Sequence, residues 1–320
     1  MKRRTVLALV ASAAAAPLAG AQAQPRMKTL GYLSNGTDPA WLLKLLAERG
    51  HVEGRNLRLE VRVKQGPGAV DALAAELVAL RPDVLLAFGA GNVGALARLT
   101  KTIPIVCGGT ADPVSLGFAK TVRLPGGNVT GLSYGVPEFA QVTVGLMRAA
   151  RPGLRDILSI VSKGRGDEQE GWRPVNRSIE EAARGAGIGW ALQAVDSLAE
   201  LERALGALQP ATGMPYFITT PKSVPAAAAA GAAMRGRLAS AGSDRLFVEA
   251  GVLMHYSLTH ADPRGRVAAM VDQMLRGADP AQTPFELPDR TRFVVNRATA
   301  RAIGIELPAE FLARATEILG

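Results

Sequence analysis

The segment RLPGGNVTGLSYGVPEF, residues 123–139, decides how this chain is divided. A Pro-Gly-Gly turn at residues 125–127 is followed by a second glycine and a second proline, Gly135 and Pro137, and residues of this kind interrupt helices and strands. The segment is therefore too broken for a helix, and its Asn, Thr and Ser residues make it too polar for a buried strand. We predict a crossing between two folded bodies, a hinge, with an ordinary surface loop as the alternative.

Upstream of this segment, short apolar runs alternate with amphipathic stretches. PDVLLAF, residues 82–88, is apolar almost throughout, as expected for a parallel strand covered on both faces. The order β-α-β-α-β-α-β predicts a parallel sheet with helices on both sides. The predicted strands are residues 28–34, 56–63, 82–88 and 103–108, and the predicted helices are residues 39–50, 69–81 and 92–101.

The second half of the chain repeats this order. A repeat of this length indicates a duplicated lobe rather than a solenoid. We therefore predict an α/β fold of two similar Rossmann-like lobes with parallel sheets, joined by a hinge. The matched segments are residues 29–36 with 157–164, 48–61 with 182–195, 73–88 with 201–218, and TIPIVCGGTADP (102–113) with DRLFVEAGVLMHY (244–256).

The loops after the predicted strands are the candidate binding elements, because ligands of open α/β sheets bind beyond the carboxyl ends of the strands. These loops are rich in Gly, Ser, Thr, Asn and Asp. Helix N-termini that follow them offer N–H groups to a carboxylate or phosphate, although helix capping alone also explains each such residue. The loops are residues 34–39, 89–94 and 108–113 in the first lobe, and 162–168, 219–223 and 249–257 in the second.

The first-lobe loops supply the predicted anion site. We expect Ser34, Asn35 and Thr37, together with Gly91 and Asn92, to bind a carboxylate or a similar anion.

Further candidates come from the next loop, the hinge and the second lobe. Thr110 and Asp112 are expected to add polar contacts, and Tyr134 at the hinge to stack on an apolar part of the ligand. If the ligand is an amino acid, Asp112 or Glu249 supplies the negative charge for its ammonium group. The second-lobe residues expected to close on the ligand are Lys163, Thr220 and Glu249.

A dinucleotide-binding site is the alternative to this predicted ligand-binding site. Gly89-Ala90-Gly91-Asn92-Val93-Gly94 matches G-x-G-x-x-G after a strand, and Asp112 lies where an acidic ribose partner could stand. This alternative is an exported NAD(P)-dependent oxidoreductase. Against it, the motif follows the third strand rather than the first, and Asp112 lies in a Gly-rich loop. The sequence contains no H-E-x-x-H, G-x-S-x-G or C-x-x-C motif, so we expect no catalysis, no cofactor and no metal.

The N-terminus has the pattern of an export signal. Residues 2–4 are basic, residues 6–16 are apolar, and Ala21-Gln22-Ala23 fits a signal-peptidase site. We predict a signal peptide over residues 1–23, with Arg3-Arg4 favouring the twin-arginine route over the general secretory route. The apolar run is too short to span a bilayer, so we expect no membrane anchor after cleavage.

The bulk composition argues against a nucleic-acid partner. The net charge is +9, but the basic residues are scattered and aromatic residues make up only 5% of the chain. The charge therefore indicates solubility and steering of anions rather than nucleic-acid binding. The single cysteine, Cys107, cannot form a disulfide within the chain and is predicted to be buried at a strand end.

Several segments, in order, resemble the ABC-transporter substrate-binding proteins of the tryptophan/tyrosine-binding type. The resemblance implies a periplasmic-binding-protein fold of type I, with three crossings, a cleft that closes about a hinge, no catalysis, a membrane ABC permease as partner and a periplasmic location. Some members bind aromatic amino acids. The similar segments are residues 50–62, 73–89, TIPIVCGGTADPVSLGF (102–118), RLPGGNVTGLS (123–133) and the tail 292–319.

The resemblance also sets the expected lobes. Lobe 1 is residues 27–134 plus about 261–288, and lobe 2 is residues 135–260 plus about 289–320. The second-lobe segments SKGRGDEQEGW (162–172) and SLTHADP (257–263) depart from the family pattern, so the identity of the ligand does not transfer. A ligand-sensing partner of a membrane receptor remains a further alternative. A sugar-responsive repressor has a similar body, but here an export signal stands in place of a DNA-binding headpiece.

Overall fold

Two open sheets, each covered by helices on both faces, form the two lobes of the chain. The computed structural model describes residues 26–64, 69–163 and 166–320. The predicted signal peptide lies outside these residues, as does part of the predicted loop 162–168. None of the helices in the described ranges combines the length and apolar character needed to cross a bilayer.

The first sheet is wholly parallel, with strand order β2-β1-β3-β4-β5. The predicted strands and helices are all present, with ends shifted by a few residues. β3 consists of four buried apolar residues, which explains its unbroken hydrophobic pattern. The elements are β1 Lys28–Ser34, α1 Ala40–Ala47, β2 Leu57–Val63, α2 Val70–Ala79, β3 Val84–Ala87, α3 Ala90–Leu99, β4 Ile105–Thr110 and β5 Val129–Ser133.

Successive residues of these strands face opposite helix layers, as the pleat requires. Leu30 and Tyr32 pack with α1 on one face, whereas Leu33 packs with α2 and α3 on the other. Cys107 is fully buried, as predicted, but it lies within β4 rather than at the end of the strand.

The prediction that residues 123–139 contain no buried strand is wrong. Val129–Ser133 forms β5, and all five of its residues are buried. Its polar side chains are satisfied from far along the chain, since the Thr130 hydroxyl donates to the carbonyl of Thr283 at 2.8 Å. The crossing itself is shorter than predicted: Gly135, in a left-handed conformation with φ of 62°, directly precedes α4, Val136–Ala150.

The second sheet has the order β12-β11-β10-β9-β8-β6-β7, and β10 and β11 form its antiparallel pair. The order 7-6-8-9-10 repeats the order 2-1-3-4-5 of the first sheet, so the lobes share one topology. The elements that follow α4 are β6 Asp156–Ser162, α5 Gly166–Gly185, β7 Gly189–Val195, α6 Leu198–Gly206, β8 Gly213–Phe217, α7 Ala226–Arg235, β9 Ala241–Gly242, α8 Arg245–Glu249, β10 Met254–Thr259, α9 Pro263–Leu275, β11 Arg290–Asn296, α10 Arg297–Ile303, α11 Ala309–Ala313 and β12 Glu317–Leu319.

The fourth segment match of the predicted repeat is wrong. The position of β4 is taken in the second sheet by the two-residue strand β9, whereas residues 244–256 contain α8 and the start of β10. A strand of two residues has no periodicity to detect, which explains the misalignment.

Three crossings join the lobes. The first follows β5, the second lies between β10 and α9, and the third precedes β11. α9 packs in the core of the first lobe against α1, so the chain returns there before it enters β11.

The crossings are bonded to one another. His260 Nε2 lies 3.0 Å from the carbonyl oxygen of Ser133, and the Ala261 N–H donates to Asp289 at 2.8 Å. The Arg266 guanidinium pairs with Glu286 and Asp289, each at 2.5 Å. These bonds make the three crossings one hinge.

Candidate ligand-binding site between the lobes

A cavity of about 310 Å³ lies where the two lobes meet. The first lobe contributes the start of α3 and the end of β4, and the second lobe contributes α4, α5, β8 and β10. The helix α3 contacts α5 across the cleft. The apolar second-lobe wall is formed by Val136, Phe139, Val175 and Leu258.

The N-terminus of α3 opens onto this cavity. Gly89 and Ala90 line it, and Gly89 has a φ of 83°, a conformation that favours glycine. Because the cap residue is a glycine, no side chain in the described ranges caps this helix. First-turn N–H groups have no partner within a helix and carry partial positive charge. The cavity therefore has an anion-accepting end on the first lobe.

Two buried residues that line the cavity have hydroxyl groups without a hydrogen-bond partner in the described part of the chain. Thr110 and Tyr216 are each 1% exposed, and neither hydroxyl has a hydrogen-bond partner among the described residues. Burial raises the pKa of the Tyr216 phenol above its usual range, so it stays protonated and can donate. Buried polar groups are almost always paired in native proteins. A ligand in the cavity is the natural partner for both groups.

Tyr134 forms the hinge side of the cavity by a close contact with Gly109. Its N–H donates to the carbonyl of Thr110 at 2.8 Å, which fixes the backbone. A side chain at position 109 would place its Cβ 2.7 Å from Tyr134 Cζ, so only glycine fits under the ring. The residue is half exposed, whereas burial of the hydroxyl end raises the pKa of Tyr134. The ring is therefore seated on the backbone with part of its surface open.

Among the predicted binding residues, Thr110 and Tyr134 line the cavity. Gly91 and Asn92 lie in the first turn of α3, immediately after the lining residues. The Asn92 amide donates to Asn35 at 2.9 Å, so these two side chains bond each other.

The predicted residues Ser34 and Thr37 bond each other within their own turn. The Ser34 hydroxyl donates to the carbonyl of Thr37 at 3.1 Å and accepts from the N–H of Gly36. The lining of the cavity, among the described residues, includes none of this first predicted loop.

The other predicted residues lie away from the cavity. Asp112 accepts from the N–H of Val114 at 3.0 Å. Glu249 pairs with Arg245 at 2.6 Å. Neither carboxylate therefore lines the cavity.

Lys163 and Thr220 line a separate groove of the second lobe, about 970 Å³ in volume. Lys163 pairs there with Glu200 at 2.7 Å. The interlobe cavity, as far as the described side chains define it, has no charged residue in its lining.

Several lining residues were not predicted. Ser257 fell inside a predicted loop but lies on β10, and Ser243 follows β9, the strand that the sequence did not reveal. Phe139 and Val175 lie on helices, and Tyr216 lies on β8. Helix positions carry no sequence signal for a cavity, because the same apolar spacing predicts core packing.

The family model for ABC transporter substrate binding proteins matches residues 41–319. The chain belongs to this family. The family consists of solute-binding proteins, and this favours the solute-binding interpretation over the dinucleotide interpretation of residues 89–94.

Individual relatives of this ABC transporter substrate-binding protein agree with the assignment. A tyrosine-binding protein of Clostridioides difficile is 21% identical over 82% of this chain and 75% of its own length. A conserved domain protein of Vibrio cholerae is 25% identical, with a TM-score of 0.70 over 92% of this chain and 100% of that one. A Streptococcus pneumonia domain solved with L-Trp is 23% identical, with a TM-score of 0.69 over the same shares. The fold is that of a type I periplasmic binding protein.

Proposed function

We propose that this protein is the exported solute-binding component of an ABC importer, and that it binds a small carboxylate with an apolar body in the interlobe cavity. Amino acids and small organic acids are the two classes that fit. The observation that carries the proposal is the uncapped N-terminus of α3 beside the partnerless Thr110 hydroxyl, at one end of an otherwise apolar cavity.

The carboxylate is assigned to the first lobe. The N–H groups that begin α3 at Ala90 supply donors and partial positive charge without a lysine or arginine. Thr110, fully buried at the end of β4, adds a hydroxyl donor from the neighbouring strand. Backbone donors of this kind are fixed before the ligand arrives, so binding requires little reorganisation.

The apolar body is assigned to the space between Tyr134, Phe139 and Leu258. A cavity of about 310 Å³ is at the small end of the range for ligand pockets, which suits one aromatic or branched side chain. The L-Trp complex and the tyrosine-binding protein among the relatives support an aromatic ligand.

The mechanism is closure of the lobes about the three crossings. The first-lobe helix α3 contacts the second-lobe helix α5 beside the cavity, so we expect a ligand held by both lobes to stabilise this closed arrangement. The closed form is then the one recognised by the membrane permease, a partner that the family assignment supports.

Amino acids carry an ammonium group that simple organic acids lack, and the cavity offers this group few partners. Asp112 and Glu249, the predicted counter-charges, are engaged elsewhere. An ammonium must therefore rely on hydroxyl acceptors, and burying a charge with neutral partners is costly. Both classes belong in the same binding panel, so that the cost can be measured.

A thermal-shift and calorimetric screen of residues 24–320 tests the proposal. The panel is L-tryptophan, L-tyrosine, L-phenylalanine, 3-phenylpropionate, glucose and NAD. We expect a carboxylate to raise the unfolding midpoint, with about 2.7 kcal/mol of stabilisation at a hundredfold excess over the dissociation constant. A shift of the unfolding midpoint with NAD and none with the carboxylates would contradict the proposal and indicate that residues 89–94 form a dinucleotide site.

A matched pair of variants locates the binding. Thr110→Val and Thr143→Val each remove a buried hydroxyl that has no partner among the described residues, but Thr143 lies on α4 outside the cavity lining. We expect Thr110→Val to weaken carboxylate binding about tenfold, since one hydrogen bond to a charged group is lost. Thr143→Val should leave the affinity unchanged. Equal affinities for both variants would place the ligand elsewhere.

Export is proposed to use the twin-arginine route to the periplasm. Replacing Arg3 and Arg4 by lysine in a reporter fusion should abolish export of the mature domain. Unchanged export of that variant would assign the signal to the general secretory route.

A further inference from the structure

His255 lies behind the cavity and bonds one of its lining residues. It is 3% exposed and sits on β10, two residues before Ser257, so both side chains lie on one face of the strand. His255 Nδ1 lies 3.0 Å from the carbonyl oxygen of Gly242, and His255 Nε2 lies 3.0 Å from the Ser257 hydroxyl. Ser257 in turn lines the cavity.

The direction of both hydrogen bonds follows from the chemistry of the groups. A carbonyl oxygen only accepts, so Nδ1 carries a proton and donates to Gly242. Burial lowers the pKa of the His255 imidazole, which keeps the ring neutral near pH 7. In a neutral ring with a proton on Nδ1, Nε2 is an acceptor. The Ser257 hydroxyl must therefore donate its proton to Nε2.

We infer that His255 is a positioning residue that makes Ser257 a hydrogen-bond acceptor toward the cavity, so that the bound ligand places an N–H or O–H donor there. This inference deepens the proposed function and rests on it for the ligand. Ser243 behaves in the same way, because its hydroxyl donates to the carbonyl of Ile218 at 2.7 Å. The Ser257 and Ser243 hydroxyls of the second-lobe wall thus accept, whereas the start of α3 on the first-lobe wall donates.

The ligand class follows from this polarity. A ligand that spans the cavity carries a carboxylate at one end and a neutral or charged donor at the other. An aromatic amino acid or a hydroxyaryl acid meets this requirement, whereas a simple aryl acid leaves Ser257 without a partner. The N–H or O–H donor of the ligand therefore makes the protein discriminate between ligands that share the same apolar body.

Protonation of His255 would reverse the arrangement. With protons on both nitrogens, Nε2 donates to Ser257, and the Ser257 hydroxyl proton turns toward the cavity. The charged groups around His255 are Asp244, which favours this protonation, and Arg292 and Arg245, which oppose it. Affinity for a donor-bearing ligand is therefore expected to fall on acidification.

The proton assignment is tested without any ligand, by NMR of residues 24–320 with ¹⁵N-labelled histidine. The signals of His255 are those that disappear in His255→Gln. At pH 7.5 we expect a protonated Nδ1 and an unprotonated Nε2. A proton on Nε2 would overturn the inference.

The specificity role is tested with L-tyrosine, L-phenylalanine and 3-phenylpropionate as calorimetric probes. Ser257→Ala and His255→Gln should each weaken the amino acid probes about fivefold to tenfold, the value of one hydrogen bond, and leave 3-phenylpropionate within about twofold. Ser223→Ala is the matched control, because its hydroxyl donates to the carbonyl of Asp196 outside the cavity lining. Equal losses for all three probes would overturn the specificity role.

The two proposals fail in different ways. If none of the probes binds while NMR shows the expected protons, the ligand class under the proposed function is wrong, and with it the donor requirement, but the assignment of the Ser257 proton stands. If the probes bind and Nε2 is protonated, the proposed function stands and the inference about His255 falls.

Discussion

Gly109→Ala tests whether Tyr134 is seated on the backbone as the structure shows. The three atoms nearest to an added Cβ all belong to the Tyr134 side chain: the hydroxyl oxygen is the nearest, followed by Cζ at 2.7 Å and Cε1 at 3.0 Å. Ordinary van der Waals contact begins at 3.4 Å, so Cζ must retreat by roughly 0.7 Å and the closer hydroxyl oxygen by more. The ring cannot stay in place, and the cavity wall that it forms must move.

Two costs contribute to the expected loss of stability. Displacing a packed side chain costs about 1–3 kcal/mol. Gly109 also has a φ of 158°, where an alanine adds backbone strain of about 1–3 kcal/mol. Only the first cost depends on Tyr134. A double-mutant cycle with Tyr134→Ala should therefore show a coupling energy of about 1–3 kcal/mol, with Gly109→Ala less harmful when the ring is absent.

Urea unfolding of the four proteins measures this coupling. Gly117→Ala is the matched control, because Gly117 also has a positive φ, 73°, but nothing lies within 4 Å of its added Cβ. Gly117→Ala should lose only about 1–2 kcal/mol and show no coupling to Tyr134→Ala. A Gly109→Ala cost that is equal in both backgrounds would refute the placement of the ring.

Three further outcomes follow from buried groups. Gly131→Ala should lower the free energy of unfolding in urea by more than about 3 kcal/mol, because the added Cβ overlaps the carbonyl of Cys107 on β4. Gly145→Ala inside α4, with nothing within 4 Å of its added Cβ, should raise that free energy by up to about 1 kcal/mol, and similar costs at both sites would contradict the packing of β4 on β5. Because the pKa of His255 is lowered in the folded chain, the unfolded chain takes up a proton below about pH 6.5 while the folded chain does not. The free energy of unfolding should therefore fall as the pH drops below 6.5, and less steeply in His255→Gln. Parallel pH profiles of the two proteins would show that His255 has an ordinary pKa. Burial raises the pKa of Cys107 to about 12, so a thiol reagent at pH 8 should label it only after unfolding, and rapid labelling of the native protein would show that β4 is open.

The sequence by itself determined the lobes and most of their elements. Strands such as β3 are continuously apolar because both faces are covered, and helices such as α2 carry apolar residues at helical spacing; both patterns are local. The order of these elements then fixed a parallel sheet and the repeat of the topology. The sequence also pointed to Thr110 and Tyr134, which line the cavity, because the end of a strand and the start of a crossing are positions along the chain.

Only the tertiary structure decided where polar residues find their partners. β5 looked too polar for a buried strand because the carbonyl that satisfies Thr130 belongs to Thr283, in the segment between α9 and β11. Glu249 was a reasonable counter-charge for a ligand, but it pairs with Arg245 one helical turn away, and Arg245 is held in turn by Glu317 of β12. Ser257 became an acceptor through His255, whose own partner Gly242 lies on the two-residue strand β9. The bonds of Thr130, Arg245 and His255 to Thr283, Glu317 and Gly242 join residues 153, 72 and 13 positions apart, whereas a sequence pattern reports only the near neighbours of each residue.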